Sequence, residues 1–261
     1  MTYLHISYID GILVGFGKGR KRVYKGYYFT AVILAAGSGK RMKTDLAKQL
    51  IPLHGRPMVY YSLKAFAESP VDSIVLVTSK EHLEYCQKEI VDKYNIPKVV
   101  NVVVGGEERY HSSINGVLAS PRESNYLLIH DCARPCVTGE LIMNCMENVI
   151  KYRNCTAAVK AVDTTCQVDQ EERIINIPNR NVMWSIQTPQ CFKYEDIKRA
   201  HQLLLKQEPS MTEAEKRAIT DDVAAIRKFM EKEVFVFEGS YENIKVTNPG
   251  DVVTAEEILK L

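Results

Sequence analysis

The chain has 261 residues, 46% of them hydrophobic and 25% charged, and a formal net charge of +2 at pH 7. This balance is typical of a folded globular protein and excludes a disordered chain, which lacks the apolar residues that form a core. The longest uninterrupted apolar run, residues 31–36, is far shorter than the roughly 20 residues that span a bilayer, so we predict no membrane segment.

The positive charge is concentrated at the N-terminus. Residues 1–29 contain five basic residues and one acidic residue, and the rest of the chain is close to neutral. A near-neutral body predicts no nucleic-acid partner. The apolar part of this segment precedes its basic part, which is the reverse of a secretory signal. We interpret residues 1–28 as a poorly ordered basic extension rather than an arm that binds phosphate or nucleic acid.

The cysteine pattern indicates the compartment. The chain has seven cysteines, an odd number, and none of them shows the C-x-x-C spacing of a zinc or redox site. Such use of cysteine is typical of a reducing environment, so we predict a cytoplasmic location.

From residue 29 onward, apolar runs alternate with amphipathic stretches. Nearly continuous runs of Val, Ile and Leu predict strands buried on both faces at 30–36, 73–78, 99–104, 126–130 and 156–162. The stretches between them predict helices at 57–68, 81–93, 109–119 and 139–152. This alternation predicts an α/β fold with a Rossmann-like, mostly parallel sheet flanked by helices. In such a sheet, ligands bind beyond the carboxyl ends of the strands.

The alternation stops after residue 162. Two short β-like runs surround a charged turn at 169–173, which predicts a protruding β-hairpin arm at about 163–181. An isolated hairpin is barely stable in water, so we expect the arm to pack on a second copy of the chain in a homodimer. Later elements are predicted as strands at 182–187 and 233–237 and helices at 195–206, at 213–229 and after Pro249. We treat residues 29–261 as a single domain.

The first strand leads into the glycine-rich turn "LAAGSGKRM". Glycines let backbone N–H groups approach an anion closely, so the turn predicts a phosphate site. A Walker A loop would need glycine at position 34 and Ser or Thr at position 41, where the chain has Leu34 and Arg41. A dinucleotide fingerprint would need glycine at position 42, where the chain has Met42. Both are excluded, and the cations Arg41 and Lys48 beside a loop of free amides suit a triphosphate instead.

Further motifs follow the turn in a fixed order: "AKQ", "GGEERYHSS", "IHDCARP", "NRNVMWSIQTPQCF", "TDD" and "NIKVTNPGD". In these motifs the chain, from about residue 28 to its end, resembles the 2-C-methyl-D-erythritol 4-phosphate cytidylyltransferases, a family of sugar-nucleotide pyrophosphorylase-like nucleotidyltransferases. The resemblance implies transfer of CMP from CTP to methylerythritol phosphate in the non-mevalonate isoprenoid pathway, with Mg²⁺ or another divalent cation. A phosphate monoester is largely dianionic at neutral pH, so its attack needs no general base.

The same resemblance implies roles for individual residues. Arg41 and Lys48 would neutralise charge on the α-phosphate and the pyrophosphate, and Arg180 and Lys245 would orient the acceptor phosphate for in-line attack. The implied nucleotide-binding residues are Ala35, Ala36, Gly37, Gly39, Gly106, Glu107 and Ser112. The implied substrate-binding residues are Asp131, Arg134, Thr164, Thr188 and Thr220. Asp131 is also the candidate magnesium ligand, because Mg²⁺ prefers one or two carboxylates plus phosphate oxygens.

Two points depart from the family pattern or leave an alternative open. A basic residue usually precedes an Asp-Thr pair at the arm, but this chain reads Val162-Asp163-Thr164-Thr165, so Thr165 is the alternative to Thr164. Ribitol-5-phosphate cytidylyltransferases share the nucleotide half and "IPNR…QTPQ". Ala36, "HDCARP", Trp184 and "TDD" favour the methylerythritol acceptor, whereas the sequence at the arm favours ribitol. His130, beside Asp131, is predicted to be a packed structural histidine.

Overall fold

The computed structural model describes residues 6–9, 12–15, 24–37 and 47–260. Its strands are β1 (Ile6–Ile9), β2 (Ile12–Gly15), β3 (Phe29–Ala35), β4 (Pro52–Leu53), β5 (Arg56–Pro57), β6 (Ser73–Thr78), β7 (Val99–Val104), β8 (Tyr126–Asp131), β9 (Asn154–Lys160), β10 (Gln167–Val168), β11 (Ile174–Asn176), β12 (Trp184–Lys193) and β13 (Phe235–Glu238). Its α-helices are α1 (Met58–Glu68), α2 (Leu83–Tyr85), α3 (Arg109–Leu118), α4 (Gly139–Tyr152), α5 (Tyr194–Gln207), α6 (Glu213–Arg217), α7 (Asp222–Met230) and α8 (Pro249–Ile258). Short 3₁₀ turns lie at Lys48–Leu50, Lys80–His82, Arg180–Val182 and Glu208–Ser210, and a π-helical segment lies at Cys86–Asp92.

A mostly parallel sheet forms the centre of the molecule. Within the described ranges its strand order is β1-β2-β7-β6-β3-β8-β12-β9-β13. Strand β3 runs parallel to β6 and β8, β6 runs parallel to β7, and β9 runs parallel to β13. Strand β12 is antiparallel to both of its neighbours, β8 and β9. The predicted fold class, a Rossmann-like and mostly parallel sheet flanked by helices, is confirmed.

The helices cover both faces of the sheet, and β3 shows how the sequence directs this packing. Ala31 and Ile33 face the core that contains α1 and α4, whereas Val32 and Leu34 face the core that contains α5 and α7. Because successive side chains of a strand point to opposite faces, a strand between two helical layers must be apolar at every position. All seven residues of β3 are buried, as the continuous apolar run predicts.

Several predicted elements differ from the structure. The helix predicted at 81–93 is a 3₁₀ turn, the three-residue α2 and a π-helical segment, and the strand predicted at 156–162 lies at Asn154–Lys160. The strand predicted at 182–187 continues to Lys193, with a shift in register between Ile186 and Gln190 on either side of Pro189. Proline has no backbone N–H to donate to a neighbouring strand, so irregular pairing is expected at Pro189. The single helix predicted at 213–229 is wrong, because α6 ends at Arg217 and α7 begins at Asp222. The Asp221 side chain accepts a hydrogen bond from Ala224 N and caps the second helix.

The predicted arm is a two-stranded hairpin. Strands β10 and β11 pair antiparallel with each other and form a small sheet separate from the central one. Val168, Ile174, Ile175 and Ile177 are all exposed on it. The hairpin is therefore confirmed, and it carries a group of apolar side chains that this chain alone leaves in water.

The N-terminal segment contributes two short strands. Strand β1 pairs with β2, and β2 pairs antiparallel with the edge strand β7. The division of the chain at residue 28 and the poor order of the extension remain predictions. In the part of the chain that the structure describes, no helix is both long and apolar enough to cross a bilayer.

Candidate active site

Three parallel strands of the central sheet end near the predicted nucleotide turn. Strand β3 leads into Ala36 and Gly37, β7 leads into Gly105, and β8 ends at Asp131. A Cβ built on Gly105 would lie 2.5 Å from Ala36 Cβ and 2.6 Å from Ser112 Oγ. The structure therefore brings together the two segments that the sequence predicts to bind the nucleotide. They are so close at Gly105 that this position has no room for a side chain.

The second nucleotide segment folds back on its own helix. Gly106 N donates to Ser112 Oγ over 3.2 Å, and Ser112 is buried in the second turn of α3. Gly106 and Glu107 are exposed beside it. This arrangement leaves the Glu107 side chain and the loop backbone open to a ligand, while the serine hydroxyl fixes the shape of the loop.

Two of the predicted nucleotide-site residues, Gly39 and Arg41, lie outside the described residues. Lys48 is described and is half-buried in a 3₁₀ turn. Burial raises the pKa of the Cys132 thiol to about 12, although the positive charge of Lys48 opposes that rise. Lys48 is thus close enough to act electrostatically on the residue that follows Asp131. Its contact with the phosphates stays a prediction.

Asp131 lies between two cations at the end of β8. Arg109 Nε donates to its Oδ1 over 3.1 Å, and Lys245 Nζ donates to its Oδ2 over 2.7 Å. Burial alone would raise the pKa of this carboxyl group, but the charges of Arg109 and Lys245 hold it well below its usual range. Asp131 is therefore ionised at neutral pH. The predicted residues Asp131 and Lys245 meet, and Arg109 joins them without having been predicted.

A hydrogen-bonded chain behind Asp131 fixes the end of the strand. Asp131 N donates to Thr188 Oγ1 over 3.1 Å, and the same hydroxyl lies 3.0 Å from His130 Nδ1. His130 Nε2 lies 3.1 Å from Arg134 O, which can only accept, so Nε2 carries the proton of the neutral ring and Nδ1 accepts from the threonine hydroxyl. Burial lowers the pKa of His130 to about 4, consistent with this neutral ring. The prediction of a packed structural histidine is confirmed.

Backbone contacts hold the segment that carries Lys245. Arg134 Nη1 donates to Asn243 O over 2.6 Å, and Val246 N donates to Ala133 O over 2.8 Å. Asn243 Nδ2 in turn donates to Thr188 O over 2.9 Å. Lys245 is therefore anchored on both sides of its position. The hydroxyl of Thr188 and one end of the Arg134 guanidinium serve this framework, and their predicted contacts with substrate remain predictions.

The remaining predicted acceptor residues lie at exposed positions. Arg180 Nη1 donates to Val162 O over 3.1 Å and ties the two ends of the arm together. Thr164 is exposed at the beginning of the arm, and Thr220 is exposed beside the cap of α7. Within one copy of the chain, the described contacts do not bring these residues to the Asp131–Lys245 pair, and their role in binding the acceptor remains a prediction.

Sequence reasoning missed a buried acid beneath this site. Asp222, the second acid of "TDD", is 1% exposed and accepts hydrogen bonds from Arg109 Nη1 over 2.8 Å and from Ser113 Oγ over 2.5 Å. The available signals were the arginine in "GGEERYHSS" and the doubled acid in "TDD". The sequence does not show that one partners the other.

Comparison with known proteins identifies the family. A family model described as IspD, 2-C-methyl-D-erythritol 4-phosphate cytidylyltransferase, matches residues 29–261. The chain belongs to this family. A cytidylyltransferase of that name from Lachnospira eligens is 40% identical over 232 residues, which are 88% of this chain and 99% of that protein. One from Clostridium kluyveri is 42% identical over 235 residues, which are 88% of this chain and 96% of that protein.

Solved structures of the IspD family share the fold. The 4-diphosphocytidyl-2C-methyl-D-erythritol synthase of Anaerococcus prevotii superposes with a TM-score of 0.77 at 30% identity, covering 91% of this chain and 98% of that one. The IspD of Francisella tularensis superposes with a TM-score of 0.72 at 25% identity, covering 88% and 99%. The family match begins at residue 29, so it leaves the basic extension outside the region shared with the IspD model.

Proposed function

We propose that this chain transfers CMP from CTP to 2-C-methyl-D-erythritol 4-phosphate, forming 4-diphosphocytidyl-2-C-methyl-D-erythritol and pyrophosphate for isoprenoid synthesis. The observation that carries the proposal is the meeting of Lys245 and Asp131 beside the nucleotide turn, in a chain that belongs to the IspD family. The names of the relatives favour methylerythritol phosphate over ribitol 5-phosphate as the acceptor.

The contact at Gly105 places the two predicted nucleotide segments together. The Ala36 side chain and the Ser112 hydroxyl both lie against Gly105, so the two segments approach each other closely at this point. The rim at Gly106 and Glu107 supplies exposed peptide groups and a carboxylate that can pair with the exocyclic amine of cytosine. Membership of the cytidylyltransferase family supports selection of a pyrimidine at this loop.

The chemistry is a direct displacement on the α-phosphorus. An oxygen of the dianionic acceptor phosphate forms the new P–O bond, the α–β bridging bond breaks, and pyrophosphate leaves with the bonding electrons. Arg180 and Lys245 would hold the acceptor phosphate in line, while Arg41 and Lys48 would neutralise charge on the α-phosphate and the leaving group. Asp131 holds Lys245 in place until an anionic phosphate competes for its ammonium group.

A divalent cation is part of the proposal. Within the described ranges, no group of three or more His, Cys, Asp or Glu side chains is arranged to hold a metal. A single carboxylate fits Mg²⁺ that arrives on the triphosphate, because Mg²⁺ keeps phosphate and water oxygens as ligands. Asp131 would be its protein ligand. When bound, the cation would offset the negative charge of the triphosphate.

The decisive experiment is an assay with two acceptors. The full-length chain with CTP and Mg²⁺ is expected to release pyrophosphate with 2-C-methyl-D-erythritol 4-phosphate and to be much less active with ribitol 5-phosphate. Pyrophosphate is measured by a coupled assay, and the nucleotide product by chromatography. Faster turnover of ribitol 5-phosphate would reverse the choice of acceptor. CTP binding without turnover of either acceptor would favour a non-catalytic nucleotide sensor.

We also propose that the arm forms a homodimer in the cytoplasm. The exposed isoleucines of β11 and its neighbourhood are the support for a second copy, since burying them in an interface removes apolar surface from water. All seven cysteines are free thiols, six of them buried, which supports a reducing compartment.

The dimer is tested by placing charge on the arm. Replacing Ile174 and Ile175 together with Glu is expected to weaken self-association by about tenfold or more, because an apolar contact would have to bury two carboxylates. Sedimentation velocity across a concentration series measures the effect. The control replaces Leu118 and Val253 with Glu, because these residues are similarly exposed but lie on α3 and α8. Equal association of both variants would contradict an interface at the arm.

A further inference from the structure

A buried acid lies one layer below the candidate active site. Asp222 is the first residue of α7, and its side chain is 1% exposed. Burial would raise the pKa of its carboxyl group, but the charge of Arg109 and the hydrogen bond from His201 hold the pKa well below its usual range. The group is therefore an anion in the interior. It does not reach the cleft, so it cannot act on a substrate directly.

The contacts that the described residues make with this anion hold it in place. Ser113 Oγ donates to Oδ1 over 2.5 Å, and His201 Nε2 lies 3.1 Å from the same oxygen. The other oxygen, Oδ2, accepts from Arg109 Nη1 over 2.8 Å. The backbone is fixed as well, because Asp222 N donates to Gln190 Oε1 over 3.0 Å. Residues from α3, α5 and β12 thus set the position of one carboxylate.

Arg109 connects this anion to Asp131. Nη1 of its guanidinium donates to Asp222, and the opposite edge faces Asp131. On that edge Nε donates to Oδ1 over 3.1 Å, and Nη2 lies 3.0 Å from the same oxygen as an ion pair without a hydrogen bond. A guanidinium is planar and rigid, so fixing one edge fixes the direction of the other. The orientation of the Asp131 carboxylate therefore depends on the position of Asp222.

The resulting series of charges runs from the cleft to the interior. It alternates in sign through Lys245, Asp131, Arg109 and Asp222, and the side-chain exposure at its ends is 40% for Lys245 and 1% for Asp222. Arg109 is also the first residue of α3, directly after the predicted base-binding loop. The series thus joins the nucleotide side of the site to the lysine predicted to orient the acceptor.

We propose that Asp222 is a positioning residue: through Arg109 it orients Asp131 and so places Lys245 for the acceptor phosphate. This inference rests on the proposed function, because it assigns the placed lysine to the acceptor. The inference does not depend on a stabilising effect of the Arg109–Asp222 ion pair, since replacing a buried ion pair by apolar residues is often neutral for folding. The Arg109–Asp222 pair instead gives the Asp131 carboxylate a defined direction at the edge of the cleft.

The first test is Asp222→Asn, which keeps the size of the side chain and removes its charge. We expect kcat/KM for methylerythritol phosphate to fall roughly 10- to 100-fold, because small misplacements of catalytic groups have effects of this size. The dissociation constant of CTP, measured calorimetrically without acceptor, is expected to change little. Equal loss of CTP affinity and of turnover would overturn the proposal, since it would indicate general damage to the site.

Arg109→Lys provides the second arm of a double-mutant cycle. This variant keeps the positive charge of Arg109 but loses the planar, rigid guanidinium. It should lower kcat/KM through the same displacement of Asp131 as Asp222→Asn does. The double variant is then expected to be hardly worse than either single variant, whereas independent effects would add. Additive losses would overturn the proposal.

The matched control is Asp196→Asn. Asp196 is also a buried acid in the first turn of a helix, and it pairs with Lys232 at 2.5 Å, away from the Asp131–Lys245 pair. Its replacement is expected to lower the thermal unfolding temperature but leave kcat/KM unchanged. If Asp222→Asn fails to fold, Ser113→Ala removes one hydrogen bond to Asp222 and is expected to show a smaller loss of the same kind. If the fraction of unfolded protein accounts fully for the loss of kcat/KM in Ser113→Ala, the proposal is overturned.

A crystal structure of Asp222→Asn separates this inference from the proposed function. The inference requires the 2.7 Å contact of Lys245 Nζ with Asp131 Oδ2 to lengthen or break in the variant. An unchanged contact would overturn the inference even if the wild-type chain is fully active. Conversely, an inactive wild-type chain with a displaced contact in the variant would overturn the proposed function while leaving the positioning geometry intact.

Discussion

Replacing Lys245 with Ala is expected to lower kcat/KM for CMP transfer by roughly 10²- to 10³-fold, the usual effect of removing one preorganised charge-stabilising donor. The ammonium lies 2.7 Å from Asp131 and is 40% exposed, so it faces both its counter-ion and the cleft. Without it, an acceptor phosphate would meet the negative charge of Asp131 directly. Steady-state kinetics with both substrates measures the loss.

A lysine on the surface provides the control for this prediction. Lys64 is exposed to a similar degree, at 44%, and pairs with Glu68 over 2.7 Å on α1. Exposed pairs of this kind contribute little, so Lys64→Ala should keep activity within about twofold of wild type. Lys245→Arg is expected to recover part of the activity, because it restores the charge with a different shape. Activity of Lys245→Ala close to wild type would remove Lys245 from the mechanism.

Replacing Gly105 with Ala is expected to weaken CTP binding about 10- to 100-fold, the range expected when a methyl group is forced into a packed site. The new Cβ would lie 2.5 Å from Ala36 Cβ and 2.6 Å from Ser112 Oγ. Ala36 Cβ is attached directly to the backbone of the nucleotide turn, so the turn must move to relieve the clash. Calorimetric titration with CTP measures the effect.

Gly139 is the matched control for Gly105. It is the first residue of α4, and a Cβ added there meets nothing within 4 Å. Gly139→Ala should therefore bind CTP as wild type does and be at least as stable, because alanine favours helix more than glycine does. If Gly105→Ala also bound CTP normally, the contact between the two loops would not shape the nucleotide site.

The central strands could be predicted from the sequence because they are buried on both faces. The bounds 73–78 and 99–104 coincide with β6 and β7. The helix at 213–229 could not be divided correctly, because its amphipathic pattern continues across the break. The start of α7 is fixed by the Asp221 cap together with a distant contact, in which Gln190 Oε1 accepts from the backbone N–H groups of Asp222 and Val223.

The candidate site was predictable where its chemistry follows a strand end, and not where it depends on pairing across the fold. Asp131 directly follows a buried run, so its place at the carboxyl edge was expected. Arg109 and Asp222 are 113 positions apart in the chain. Sequence spacing alone cannot show that an arginine in one motif binds an acid in another, and this is why the buried layer of the site was missed.

The distribution of thiols gives the arm a practical use. Six of the cysteines are buried, while Cys166 is exposed just before β10. A maleimide fluorophore added to the folded protein will therefore react there first and leave the interior unlabelled. Energy transfer between donor- and acceptor-labelled copies would then report whether the arms of two copies approach one another in solution, with no engineered attachment point.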